Sequence, residues 1–141
     1  MTDRDRGPSP SADGVDEHHV GKSAGLVPSF SYALRGVRTA VVHERNVHVD
    51  LVFAVLAVIA AALLRCEPLE WCVIVILIGM VISAEVFNTA IEAVVDLVTA
   101  DYHALAERAK DVAAGAVLIC AMTAVVVGLI VFVNAFARLV G

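Results

Sequence analysis

The 141-residue sequence predicts an all-α integral membrane protein, with an amphipathic surface helix ahead of three transmembrane helices. Three observations carry this. The chain is 60% hydrophobic and only 18% charged, with a mean hydropathy of +0.84, whereas soluble domains run nearer half apolar and a quarter charged. Uncharged apolar runs cover residues 51–64, 71–84 and 112–137. The first 24 residues, rich in Asp, Ser, Gly, Pro and His, share none of this character. A chain of this length holds one compact unit and no separate soluble catalytic domain. Its formal net charge of −5 argues against a nucleic-acid partner.

Residues 1–24 read as a disordered cytoplasmic tail, and 25–141 as the membrane domain. Asp3, Arg4, Asp5 and Arg6 run into Gly7, Pro8, Ser9 and Pro10 rather than into an apolar stretch, so the start is not a signal peptide. Gly14 to Ser23 imitates a phosphate-binding loop, but six residues separate its glycines where the loop needs four. From 29 to 46, Phe30, Ala33, Leu34, Val37, Val41 and Val42 recur at helical spacing against Arg35, Arg38, Glu44 and Arg45, as in a helix lying in the headgroup layer. The uncharged run 51–64 is only ~21 Å as a helix, short for a ~30 Å hydrocarbon core, so Val47 to Val49 must extend it to a span of about 47–65. Pro68 breaks the connection, and a second span of about 69–98 continues past its apolar run through Glu85, Glu92 and Asp96. After a polar turn at 99–103, a third helix covers about 105–138. Cys66, Cys72 and Cys120 lack metal-binding spacing and read as packing residues.

Positive charge sets the orientation, because Lys and Arg are retained on the cytoplasmic side. Arg4, Arg6, Lys22, Arg35, Arg38 and Arg45 precede the first span, and Arg108 and Lys110 follow the second; Arg65 and Arg138 fall on the other side. The N-terminus and the 99–111 connection therefore face the cytoplasm, where ATP is found.

The chemistry is expected on the second span. Glu85, Asn88, Glu92 and Asp96 are spaced three, four and four apart, so they lie within about 60° of one another on a helix. A carboxylate at the bilayer centre costs ~2.5–3.5 kcal/mol even on the insertion scale. Interhelical hydrogen bonding would explain Asn88, and an interfacial position would explain Asp96, but two glutamates seven residues apart each need a cation or a proton. Protons, a metal ion or basic residues could neutralise the stripe. Glu44 and Glu92 could share a hard divalent ion, since Mg²⁺ favours one or two carboxylates plus phosphate oxygens. Lys110, Arg35, Arg38 and Arg45 could meet phosphates. With the deeper Glu85 suited by desolvation to proton abstraction, this set points to phosphoryl transfer onto a hydroxyl arriving from the bilayer.

The block Glu85-Val86-Phe87-Asn88-Thr89-Ala90-Ile91-Glu92-Ala93-Val94-Val95-Asp96, the pair Tyr102-His103 and the stretch from Ala109-Lys110-Asp111 to Val117 closely resemble the small prokaryotic diacylglycerol kinase family. Tyr32 to Ala40 and Glu44-Arg45-Asn46 extend the resemblance, which covers roughly Phe30 to Phe132. Glu44-Arg45-Asn46 and Asp-Val-Ala-Ala-Gly-Ala-Val are closer to the Gram-positive branch, whose members act mainly as undecaprenol kinases. The resemblance implies a multi-pass homotrimer in a bacterial plasma membrane, with sites shared between subunits. It implies Glu85 as general base and Asn88 as the residue positioning the reacting groups. Glu44 and Glu92 would hold Mg²⁺ on ATP, while Tyr32, Asp101, Tyr102, His103, Lys110 and Asp111 would contact the nucleotide. Arg38 and Asn46, with Glu85, would face the lipid alcohol. The tail has no counterpart in the family, and Gly25 stands where enteric members carry an arginine near the nucleotide.

The expected reaction is ATP-dependent phosphorylation of undecaprenol, with diacylglycerol as the alternative substrate. Two other classes compete. A small ion-coupled transporter also places acids on a membrane helix, but its acids face a pathway open to both sides, and here every carboxylate from Glu85 to Asp111 lies towards the cytoplasm. A structural membrane subunit has no need of Glu44, Glu92, Lys110 and Asp111 together.

Overall fold

A computed structural model describes residues 26–99 and 101–141 of the chain. The tail, the 14–23 segment and Gly25 lie outside the described residues. Four helices make up the described chain: α1 (Leu26–His43), α2 (Arg45–Leu63), α3 (Pro68–Val98) and α4 (Ala104–Val140). The all-helical fold class expected from the sequence is what is found. The last three helices are each long and apolar enough to cross a membrane. Phe53, Ile76, Val125 and Leu129, from three different helices, are all more than half exposed. An outer surface this apolar belongs in lipid, and the chain is an integral membrane protein.

Helix α1 begins and ends three residues earlier than the surface helix expected at 29–46, because α2 already starts at Arg45. Glu44 is extended, with φ −97° and ψ 117°, and forms the elbow between α1 and α2. From there α2 takes in Val47 to Val49, so its 19 residues reach ~28 Å. It ends in a left-handed cap: Arg65 has φ 52°, its N–H donates to the Ala62 carbonyl, and the Cys66 N–H donates to that of Ala61. Pro68 opens α3, where Glu67 and Glu70 form a reciprocal capping box. Their carboxylates also bind Arg138 from the far end of α4, with two Glu70 contacts of 2.8 and 2.7 Å and one Glu67 contact of 3.4 Å. At the other end, Lys110 of α4 pairs with Asp96 of α3. The antiparallel α3–α4 pair is thus tied at both ends.

The apolar core lies at the Arg138 end, where Ala61, Cys66, Ile74, Val131 and Ala135 are buried together, with Trp71 and Phe132 packed against them. Of the small residues 113–116, Ala113 alone is buried, and a Cβ added to Gly115 would meet nothing within 4 Å. Close approach inside this chain therefore runs through Ala61, Ala113 and Ala135 rather than through the whole small-residue stretch. Ala61 has no exposed surface. Ala61→Leu is expected to destabilise the chain by about 1–3 kcal/mol through overpacking, read as a lower thermal midpoint in detergent micelles.

Between α2, α3 and α4 runs an apolar groove of about 620 Å³. Phe53, Ile78, Val81, Ile82, Val125 and Leu129 contribute to its walls, and Asp50 is its one charged lining residue.

Candidate active site

Helix α3 carries the site. Glu85 and Asn88 are the two buried polar side chains among the described residues, at 4% and 6% exposure. They sit three residues apart on one face of the helix, with Glu92 a further turn along. The Asn88 amide donates to the Glu92 carboxylate at 2.8 Å. The Asn88 carbonyl oxygen is buried and has no hydrogen-bond partner among the described residues. An acceptor left in that condition costs free energy unless something else satisfies it.

Glu85 is surrounded mainly by other acids. The Asn46 side chain hydrogen-bonds to it from α2, while the charges of Asp50, Glu92 and Glu44 bear on it. The ion pairs among the described residues lie elsewhere, on Asp96 and on the Glu67–Glu70–Arg138 cluster. Glu44 makes no side-chain capping bond at the start of α2, so capping does not occupy its carboxylate. No three His, Cys, Asp or Glu side chains converge into a cage among the described residues. An ion held here would draw part of its coordination from a ligand.

A second, polar cleft of about 330 Å³ opens beyond the end of α3. Asp101, Tyr102, His103, Lys110 and Asp111, all singled out in the sequence, line it together. The His103 ring caps α4 by accepting the Leu105 N–H at 3.2 Å. The Thr99 hydroxyl donates to the Asp101 carbonyl and accepts from its N–H, which folds the connection back on itself. The Tyr102 hydroxyl donates to Glu107 at 2.7 Å. The hydrogen bond to that carboxylate pushes the phenol above the usual tyrosine range, because only the protonated phenol can donate it.

Tyr32 and Arg38 are exposed on α1 and line neither cavity. The Arg35 guanidinium stacks on the Tyr32 ring at 5.1 Å. Three residues take on an importance that the sequence reading missed. Asp50 immediately precedes the uncharged run 51–64, yet it lies within α2 and has a buried carboxylate oxygen without a partner among the described residues. Its position four residues after Asn46, on the same helix face, was the available signal. Asp96, the last member of the acidic stripe, pairs with Lys110 of α4, a contact its spacing does not reveal. Glu107 was passed over, although it lies four residues after His103 and three before Lys110 on the cleft face of α4.

Residues 31–132 match the profile of the family described as prokaryotic diacylglycerol kinase. The chain is similar to an undecaprenol kinase of Bacillus subtilis, at 41% identity over 104 residues, 74% of this chain and 85% of that protein. It is also similar to a diacylglycerol kinase of Synechocystis sp., at 44% identity over 73% of this chain and 59% of that longer protein. A diacylglycerol kinase of Escherichia coli K12 is 34% identical over 72% of this chain and 83% of its own length.

Proposed function

The chain belongs to the prokaryotic diacylglycerol kinase family, and from that premise we propose that it transfers the γ-phosphoryl group of ATP to the hydroxyl of undecaprenol. The observation that carries this reading is the axial order along α3. Ile74, Leu77, Ile78, Val81 and Ile82 line the apolar groove, Glu85, Asn88 and Glu92 follow, and Val95, Asp96 and the C-capping Thr99 line the polar cleft. At ~1.5 Å per residue, Glu85 begins about 4.5 Å beyond the last groove residue, and Glu92 ends about 4.5 Å before the first cleft residue. A lipid chain in the groove and a nucleotide in the cleft would bring their reacting ends to the same three side chains.

Glu85 takes the proton of the lipid hydroxyl, whose oxygen forms the new bond to the γ-phosphorus as the β–γ bridging bond breaks and ADP leaves. The Asn88 amide orients Glu92, and its buried carbonyl oxygen, unpartnered among the described residues, is left to accept a hydrogen bond. Lys110 meets phosphate oxygens, with Asp101, Tyr102, His103 and Asp111 around the nucleotide. Glu44 and Glu92 provide an all-oxygen donor pair that suits Mg²⁺, which completes its coordination with phosphates and water. When bound, it supplies charge neutralisation on the transferring phosphate. Positioning and charge stabilisation are then most of the catalysis.

Residues 25–141 form the kinase domain, behind a cytoplasmic tail at 1–24. The enzyme works as a homotrimer in a bacterial plasma membrane, its N-terminus and polar cleft on the cytoplasmic side with eight of the ten Lys and Arg. Sites shared between neighbouring subunits would give Tyr32 and Arg38, which line neither cavity of one chain, a place against nucleotide and lipid.

The groove favours undecaprenol over diacylglycerol. Apart from Asp50 its lining is apolar, and two ester carbonyls would be desolvated there without donors, whereas an isoprenoid chain has no polar atom to lose. With reconstituted protein and saturating MgATP, kcat/KM is expected to be at least about tenfold higher for undecaprenol, a preference of about 1.4 kcal/mol. Equal or higher values for diacylglycerol would overturn the substrate assignment.

A further inference from the structure

Asp96 and Glu107 stand in the polar cleft without a part in the reaction described above. Each is bonded to a side chain that has one. The Tyr102 hydroxyl, on a residue 81% exposed, donates to Glu107 at 2.7 Å, and the Lys110 ammonium pairs with Asp96. Neither Tyr102 nor Lys110 has another side-chain partner among the described residues.

The charge balance of the cleft makes these carboxylates informative. Asp96, Asp101, Glu107 and Asp111 face Lys110 and His103 there, a poor setting for a polyphosphate if attraction were the whole design. Asp96 and Glu107 must therefore contribute something that outweighs their repulsion. His103 already pins the backbone by capping α4. What remains loose is the long Lys110 side chain and the outward Tyr102 ring.

We propose that Asp96 and Glu107 are positioning residues for the nucleotide, Asp96 aiming Lys110 across the cleft from α3 and Glu107 holding the Tyr102 ring over it from α4. This rests on the cleft being the nucleotide site. Lys110 has three N–H donors and Asp96 engages one, so the ammonium can still turn donors to a phosphate. Exposed pairs of this kind are weak enough to give way without trapping the lysine.

The sign of the effect separates aim from charge. If the two acids only repel nucleotide, removing either lowers the KM for MgATP. The proposal predicts the opposite: Asp96→Ala and Glu107→Ala each raise it by about two- to fivefold, the range expected of an exposed pair, with Asp96→Asn and Glu107→Gln closer to wild type. kcat and the KM for the lipid stay within about twofold of wild type, because neither acid touches the reacting atoms. In a Tyr32→Phe background Tyr102 is the one tyrosine left of two. Its phenol, followed by ultraviolet absorbance, returns towards the usual range in Glu107→Ala. An unchanged or lowered KM for MgATP, a parallel fall in kcat and lipid affinity, or an unmoved tyrosine titration would overturn the proposal. Calorimetric titration of the wild-type protein and both alanine variants with MgATP separates the positioning role from the nucleotide site. Binding there with unaltered affinity in both alanine variants defeats the positioning role alone, while no binding at all removes the nucleotide site and the positioning role with it.

Discussion

Glu85→Gln will lower kcat by about 10²- to 10⁴-fold, the loss expected when a general base is removed, while MgATP binding stays near wild type. Gln is nearly the same shape and can still accept from Asn46, so the packing around α3 survives and the loss reports on the proton. Glu85 is 4% exposed and lies among Asn46, Asp50, Glu44 and Glu92, in surroundings that make little sense for a carboxylate whose role is structural. Burying it costs free energy that several neighbouring acids increase. A variant that retained more than about a tenth of wild-type kcat would remove Glu85 from the role of base.

Glu44→Gln and Glu92→Gln will each reduce kcat on the order of a hundredfold or more, since metal-assisted charge stabilisation is worth several kcal/mol. Gln at position 92 can still accept the Asn88 amide, so the 2.8 Å hydrogen bond persists and what is lost is charge. Two side chains sharing one ion act as a unit. The double variant is therefore expected to be little worse than either single one, and raised Mg²⁺ should partly rescue the singles. Chelating the divalent cation from the wild-type protein should abolish turnover reversibly. Fully additive losses, or turnover that persists in excess chelator, would place the two glutamates in separate roles.

The parts of this molecule written in local spacing were readable in advance. Three uncharged runs specify three long helices because lipid leaves the backbone no other spanning form here. The spacing of Glu85, Asn88 and Glu92 sets them on one face before any contact is known. Asp101 to His103, with Lys110 and Asp111, could also be grouped, because a tight turn returns the chain to its own start. Contacts between helices were less legible. Nothing in the sequence says that Lys110 reaches back fourteen residues to Asp96, or that Arg138 closes on Glu70 sixty-eight residues away. Asp50 looked like a boundary because charge usually ends an apolar run. Only the packing of α2 on α3 turns it towards Glu85 and the groove. Tyr32 and Arg38 are the other side of this lesson, since they line neither cavity of one chain and their expected roles would need a neighbouring subunit.

On this proposal buried Glu85 and Asn88, with half-buried Glu92, join a lipid groove to a nucleotide cleft along α3. Its most direct test is transfer of radiolabelled γ-phosphate from MgATP in liposomes that contain the full-length protein and either undecaprenol or diacylglycerol. Label recovered in a lipid phosphate from wild type, and lost in Glu85→Gln, is the predicted result. Wild-type protein that binds MgATP yet labels neither lipid would contradict it.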